Sequence, residues 1–196
     1  MPNYRVTIGG KPDVFSITNH RPEGGIAPKT EGWMEYTPGV GFAVTMRCFE
    51  KDPLAVYTQP DDPVFHDSCM EVFLKCFPQS PDYINVEMNA NGVMRCGFGP
   101  GRNRTKVLEL GLPQPEVTVT RGADFWLVRC LISEKLLESL YQRPCRFAPG
   151  DEMRGNFYKC GEKTPVPHWA SWSKVERLDF HTPEFFGVLK IEEGER

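Results

Sequence analysis

Between residues 67 and 98 the chain reads DSCMEVFLKCF, PQSP, DYINVEMN, ANG and VMRCGF, and this stretch restricts the fold more than any other. Apolar side chains recur at every second position: Met70, Val72, Leu74 and Cys76, then Ile84, Val86 and Met88, then Met94, Cys96 and Phe98. Period two marks half-buried strands, and the turn residues between them are too few for anything but antiparallel hairpins. A one-residue slip would send a whole row to the other face, so the register must keep the apolar rows together. At Ala90-Asn91-Gly92 a three-residue turn with Gly92 in the left-handed region pairs Asn89 with Val93. That sets Glu87 opposite Arg95 and Met88 opposite Met94. The same logic across Pro78 to Pro81 predicts Phe73 opposite Glu87 and Glu71 opposite Asn89. The other sheet face then carries Glu71, Lys75, Asn85, Glu87, Asn89 and Arg95. A solvated face is one reading of this patch; but Asn is disfavoured in strands, so its retention here points to a surface with a use.

The rest of the chain fits the same class. Val40, Phe42, Val44, Met46 and Cys48 form another alternating row. Glu116 to Thr120 and Phe125 to Ile132 read as strands, the second nearly continuous in apolar residues and so expected to be covered on both faces. Ser133 can cap a short helix over 133–142, before Pro144, and Gly187 to Glu192 reads as a closing strand. Residues 1–39 look irregular apart from a strand at Tyr4 to Ile8. With 18 Gly and 18 Pro among 196 residues, turns are frequent, and no linker or repeat divides the sequence. The expectation is one all-β domain over 1–196, an antiparallel sandwich of immunoglobulin-like or jelly-roll-like form, with one short helix and an irregular segment over 1–30.

Arg154 to Gly187 concentrates the rarer side chains, among them Trp169, Trp172, His168, His181, Phe180 and Phe185. Its prolines Pro165, Pro167 and Pro183 predict a long, stiffened loop. Two tryptophans three residues apart offer flat apolar faces, and the sheet patch offers amides, acids and a guanidinium. Sugars need both, since their C–H faces stack on rings and their hydroxyls want several donors and acceptors. Arg102 and Arg104, in the Gly-rich loop GFGPGRNRTK, add donors; that loop matches neither GxGxxG nor a P-loop. A net charge of −3, with dispersed Lys and Arg, gives no case for nucleic acid and favours a neutral or weakly polar ligand.

Other chemistries are weaker. Glu71 and Glu87 on one face are compatible with a glycosidase pair, although Arg95 opposite Glu87 is expected to lower its pKa. Cys160, His168 and His181 fit no zinc spacing. Asp61 and Asp62, in a Pro-rich loop, are weak candidates for calcium. The 7 cysteines, none in a CxxC pair, read as reduced buried thiols, with a metal or disulfide role as the alternative. No apolar run is long enough to span a bilayer and no signal peptide is recognisable, which predicts a cytoplasmic protein.

DSCMEVFL, YINVEMN, RGNFYKCG (154–161), PHWASW (167–172) and DFHTPEFFG (179–187), in that order, resemble the carbohydrate-binding module family 9-like domains, within the DOMON and immunoglobulin-like sandwiches. The resemblance spans roughly residues 30 to 192. It implies non-catalytic binding of a mono- or oligosaccharide, in a bacterial family whose better-known members are appended to glycoside hydrolases of xylan and cellulose catabolism and often hold a structural calcium. It implies that Glu71 is the acidic hydrogen-bonding residue and that Trp172 or Trp169 is one wall of a two-aromatic clamp. Six residues before Glu71, where those clamps carry the other aromatic, this chain has Phe65. Without sugar binding, the fold would be left as a protein-interaction domain.

Overall fold

The computed structural model describes residues 1–194. Its strands are β1 (Asn3–Ile8), β2 (Phe15–Ile17), β3 (Asn19–His20), β4 (Thr30–Thr37), β5 (Gly41–Cys48), β6 (Cys69–Lys75), β7 (Tyr83–Asn89), β8 (Met94–Gly99), β9 (Thr105–Lys106), β10 (Glu116–Arg121), β11 (Trp126–Ser133), β12 (Glu152–Gly161), β13 (His168–Ser171) and β14 (Gly187–Glu193). They join in one curled path, β10-β11-β5-β4-β1-β14-β12-β6-β7-β8-β9, with β2, β3 and β13 attached beside it. The path folds into two layers. Met34, Val44, Met46, Val128 and Cys130 from one layer share a core with Met70, Val72, Leu74, Ile84, Val86 and Met88 from the other. The all-β sandwich is therefore present, and the alternating rows read from the sequence form its interior except for Val40, which precedes β5 and is exposed.

The α-helix α1 (Glu134–Tyr141) begins where expected, with Ser133 Oγ accepting from the Leu136 N–H at 3.2 Å. Four segments differ from the sequence reading. Residues 1–39, expected to be irregular apart from Tyr4 to Ile8, also hold β2, β3 and β4, whose short or only half-apolar rows give little periodicity to read. Most ladders are antiparallel, but β1 pairs in parallel with β14 and with β4; strands from distant parts of the chain have no hairpin to fix their direction. β11 lies between β10 and β5 but is not covered on both faces: Trp126, Val128, Cys130 and Ile132 are buried and Arg129 is exposed. The segment 154–187 is not one loop, because β12 and β13 occupy much of it. Pro165 and Pro167 fall in the connection between them, and Pro183 opens a 3₁₀ turn, so no proline interrupts a ladder.

Candidate functional site

The site is built on the outer face of β6, β7 and β8, where the sequence placed its polar patch. Glu87 does lie opposite Arg95, and Met88 opposite Met94. Between β6 and β7 the pairing is displaced by two residues from the expectation: Glu71 faces Glu87, Phe73 faces Asn85 and Cys69 faces Asn89. A two-residue shift keeps every side chain on its predicted face, so the patch survives while its partners change. The consequence is chemical, since two carboxyls now stand directly across from each other.

Asn85 is held in one orientation. Its Nδ2 donates to Glu87 Oε1 at 2.8 Å, and its Oδ1 accepts from Arg104 Nε at 2.7 Å. Arg104 spends its remaining donors on the carbonyls of Tyr83 (2.7 Å), Gly97 (2.8 Å) and Gly99 (2.7 Å), which ties the end of the β7–β8 hairpin together. Gly97 makes room for this clamp: a Cβ there would sit 2.8 Å from Asn85 Oδ1 and 3.1 Å from Arg104 Nε. Glu87 Oε2 is buried without a hydrogen-bond partner, and Glu71 Oε1 accepts from Cys160 Sγ at 3.0 Å.

Above this floor lies a cavity of about 460 Å³, lined in part by Phe65, Trp169, Phe180 and His181. Phe65 sits on the 3₁₀ turn Val64–His66, with the Arg95 guanidinium 5.8 Å from its ring centroid. Trp169, half-buried on β13, is backed by Gly24, where a Cβ would meet the indole at 2.9 Å. The Phe180 ring stacks on Tyr158 with centroids 4.0 Å apart and 15° between planes. The Tyr83 hydroxyl lies within hydrogen-bond distance of the Gly101 carbonyl at 3.0 Å and of His181 Nδ1 at 2.9 Å.

Burial governs the electrostatics. It pushes the Glu87 carboxyl up to about 7 even though Arg95 and Arg104 pull the other way, so the expected lowering by Arg95 is overturned by desolvation. Burial, followed by Cys160 and the facing Glu87, holds Glu71 well above the usual carboxylate range. Burial and the nearby Arg104 and Arg102 lower His181 to about 4, so its ring is neutral at pH 7.

Of the residues singled out in the sequence, Phe65, Glu71, Asn85, Glu87, Arg95, Arg102, Arg104 and Trp169 line this cavity. Arg102 stands at its rim, 69% exposed and paired with Asp179 at 2.9 Å. Trp172 does not belong to it. Residues three apart on or beside a strand project to opposite faces, and Trp172 packs inward against Phe157 (5.6 Å), Tyr4 (6.2 Å) and Phe15 (6.5 Å). Asn89 shares the polar face but not the cavity: its Nδ2 donates to the Tyr57 carbonyl and to Asp67 Oδ2, each at 2.9 Å, and its Oδ1 accepts from the N–H groups of Asn91 and Val93. Its role is to fasten the turn.

Of the weak calcium candidates, Asp62 Oδ2 caps the N–H groups of Thr58 and Gln59 and Asp61 faces Lys106 at 3.9 Å, and among the described residues neither belongs to a group of three His, Cys, Asp or Glu side chains. Cys160, His168 and His181 do not meet either: Cys160 bonds to Glu71, His168 Nε2 lies 2.9 Å from Lys159 Nζ, and His181 contacts Tyr83. The wall residues Phe180 and Asp179 were not singled out as site residues, although they lie in the DFHTPEFFG stretch.

The sequence matches the family model described as carbohydrate-binding family 9 over residues 25–191. No curated protein matches. Among solved structures, a protein from Bacteroides uniformis described as carbohydrate-binding superposes with a TM-score of 0.81 at 22% identity, over 97% of this chain and 99% of that one. A family 9 module from Caldicellulosiruptor kristjanssonii in complex with cellotriose gives 0.70 at 11% identity, over 100% of this chain and 95% of that one. The same organism's module with glucose gives 0.66 at 10%, over 100% and 97%. These likenesses establish the shared sandwich, and the match across most of the sequence places this chain in carbohydrate-binding family 9.

Proposed function

We propose that the cavity over β6–β8 binds a neutral mono- or oligosaccharide without cleaving it, as part of polysaccharide catabolism. The observation that carries this reading is the convergence of the flat faces of Trp169 and Phe65 with Glu71, Asn85, Glu87 and Arg95 around one cavity of about 460 Å³. A cavity of this size is in the ordinary range for small ligands. Rings supply stacking for the carbon skeleton, and oriented acids, amide and guanidinium supply hydrogen bonds for hydroxyls. Family membership supports it, as do the cellotriose and glucose held by structural relatives.

The same geometry argues against hydrolysis. Glu71 and Glu87 rise from neighbouring strands of one sheet face and meet a ligand from the same side. A glycosidase needs its two carboxyls on either side of the scissile bond.

Titration with glucose and with cello- and xylo-oligosaccharides, followed by tryptophan fluorescence and calorimetry, tests this reading. Trp169→Ala is expected to weaken binding by about 2 kcal/mol, roughly 30-fold, and Glu71→Ala to remove it. Titrations that are the same for wild type and both variants would take the site away from this cavity. Shortened oligosaccharides that disappear with Glu71→Gln would replace the binder with a hydrolase.

A further inference from the structure

Beside the saccharide cavity lies a cluster that shares Glu71 with the proposed binding and adds two thiols that the binding does not use. Cys69 and Cys160 are cross-strand partners on β6 and β12, and Glu71 follows Cys69 by two residues, so all three side chains leave the sheet on one side. One ligand atom from each lies within 4.8 Å of the other two, and all three residues are buried. The Cys160 thiol already points at Glu71 Oε1.

We propose that Cys69 Sγ, Cys160 Sγ and Glu71 Oε1 form a binding site for a soft divalent cation of the zinc or cadmium class. Tetrahedral zinc with bonds of about 2.0 to 2.3 Å requires its ligand atoms roughly 3.3 to 3.8 Å apart. Cys160 Sγ and Glu71 Oε1 are already 3.0 Å apart, and no two of the three ligand atoms are more than 4.8 Å apart. The Phe65 carbonyl oxygen, 3.7 Å from Cys160 Sγ, is a nearby fourth donor. Glu71 also lines the open cavity, which gives the ion a way in. Two thiolates and one carboxylate select zinc or cadmium over calcium or magnesium, which prefer all-oxygen sites. Binding replaces both thiol protons by the cation, so uptake releases protons. The site shares Glu71 with the saccharide reading, but Cys69 and Cys160 do not line the cavity, so the two serine variants test the cation independently of sugar binding.

The test is a titration of the reduced protein with Cd²⁺, read by the ultraviolet thiolate-to-cadmium charge-transfer band. The expected result is one ion per chain with the band of two thiolates. Cys69→Ser and Cys160→Ser should each abolish the band, and Glu71→Gln should weaken uptake by about tenfold or more. Cys130→Ser, an equally buried thiol on β11, should leave it unchanged. X-ray absorption on the zinc-loaded wild type, which needs no variant to fold, should show two sulfur neighbours at about 2.3 Å. No uptake, a shell without sulfur, or a band that survives both serine variants would overturn the assignment. So would recovery of a Cys69–Cys160 disulfide from protein kept under reductant.

Discussion

Glu87 is the residue where opposing forces are most evenly matched. Two guanidinium groups stabilise its ionised form and burial destabilises it; burial prevails, lifting the carboxyl from 4.5 to about 7. Burial also holds the facing Glu71 well above the usual carboxylate range, so the pair resists carrying two charges. A carboxyl whose folded pKa is raised contributes stability that is whole below the unfolded value and is lost as pH rises through the folded one. For Glu87 that window runs from 4.5 to about 7, and the loss is on the order of 3 kcal/mol. His168 and His181, both lowered to about 4, act in the opposite sense: their contribution is lost as pH falls from 6.5 toward 4. The wild-type profile is thus a difference of the two effects, and a variant is needed to separate them. Glu87→Gln keeps an acceptor for Asn85 Nδ2 but cannot ionise. In urea denaturation its stability relative to wild type should rise by a few kcal/mol between pH 4.5 and pH 8. An offset that is the same at both pH values would mean that Glu87 is not held protonated by the fold.

At the scale of elements, β13 decides which tryptophan does what. Trp169 on this strand lines the cavity, whereas Ala170 and, just past the strand, Trp172 pack against the main core, so the two tryptophans separate even though the sequence presents them as a pair. Trp172 sits within a group of rings comprising Tyr4, Phe15 and Phe157, the last two stacked with centroids 3.9 Å apart. Trp172→Ala is therefore expected to cost about 3 to 5 kcal/mol of stability while the folded fraction keeps its saccharide response. Trp169→Ala should do the reverse, losing the response with stability changed by about 1 kcal/mol or less. Chemical denaturation and fluorescence titration on both variants check this; equal losses of stability would place both indoles in the core. The two-residue error in the β6–β7 register has a similar origin. The turn over Pro78–Pro81 offers several lengths that keep the apolar rows inward, and periodicity cannot choose among registers two apart. What periodicity does fix is the face, which is why Glu71, Asn85, Glu87 and Arg95 were identifiable from sequence while the carboxyl pairing was not.

Over the whole molecule, the least legible part was the closure of the chain on itself. β4 was hidden because its inward row, Thr30, Gly32, Met34 and Tyr36, is only half apolar. The place of β1 was hidden because parallel neighbours distant in sequence leave no turn to read. Yet β1 fills the slot between β14 and β4, with six residue pairs on its β14 side. It buries Val6 and Tyr4, and the Tyr4 hydroxyl accepts from the Met34 N–H at 2.9 Å and donates to the Asp13 carbonyl at 2.6 Å. Removing residues 1–9 would leave two strand edges and part of the core open to water. That loss, at about 1.5 to 3 kcal/mol for each large buried side chain before any ladder bonds are counted, is a large part of the roughly 5 to 15 kcal/mol by which a domain is stable. The cysteines report on it. All 7 are free and buried, and burial raises the thiols of Cys48 and Cys145 to about 11 and that of Cys130 to about 12. In the intact, metal-free chain at neutral pH, an aromatic disulfide reagent should modify no thiol until global unfolding, and then all in one phase. In the chain lacking residues 1–9, all seven should react at the rate of the denatured protein. Slow labelling of that truncated chain would show that the two layers hold together without the strand that joins their ends.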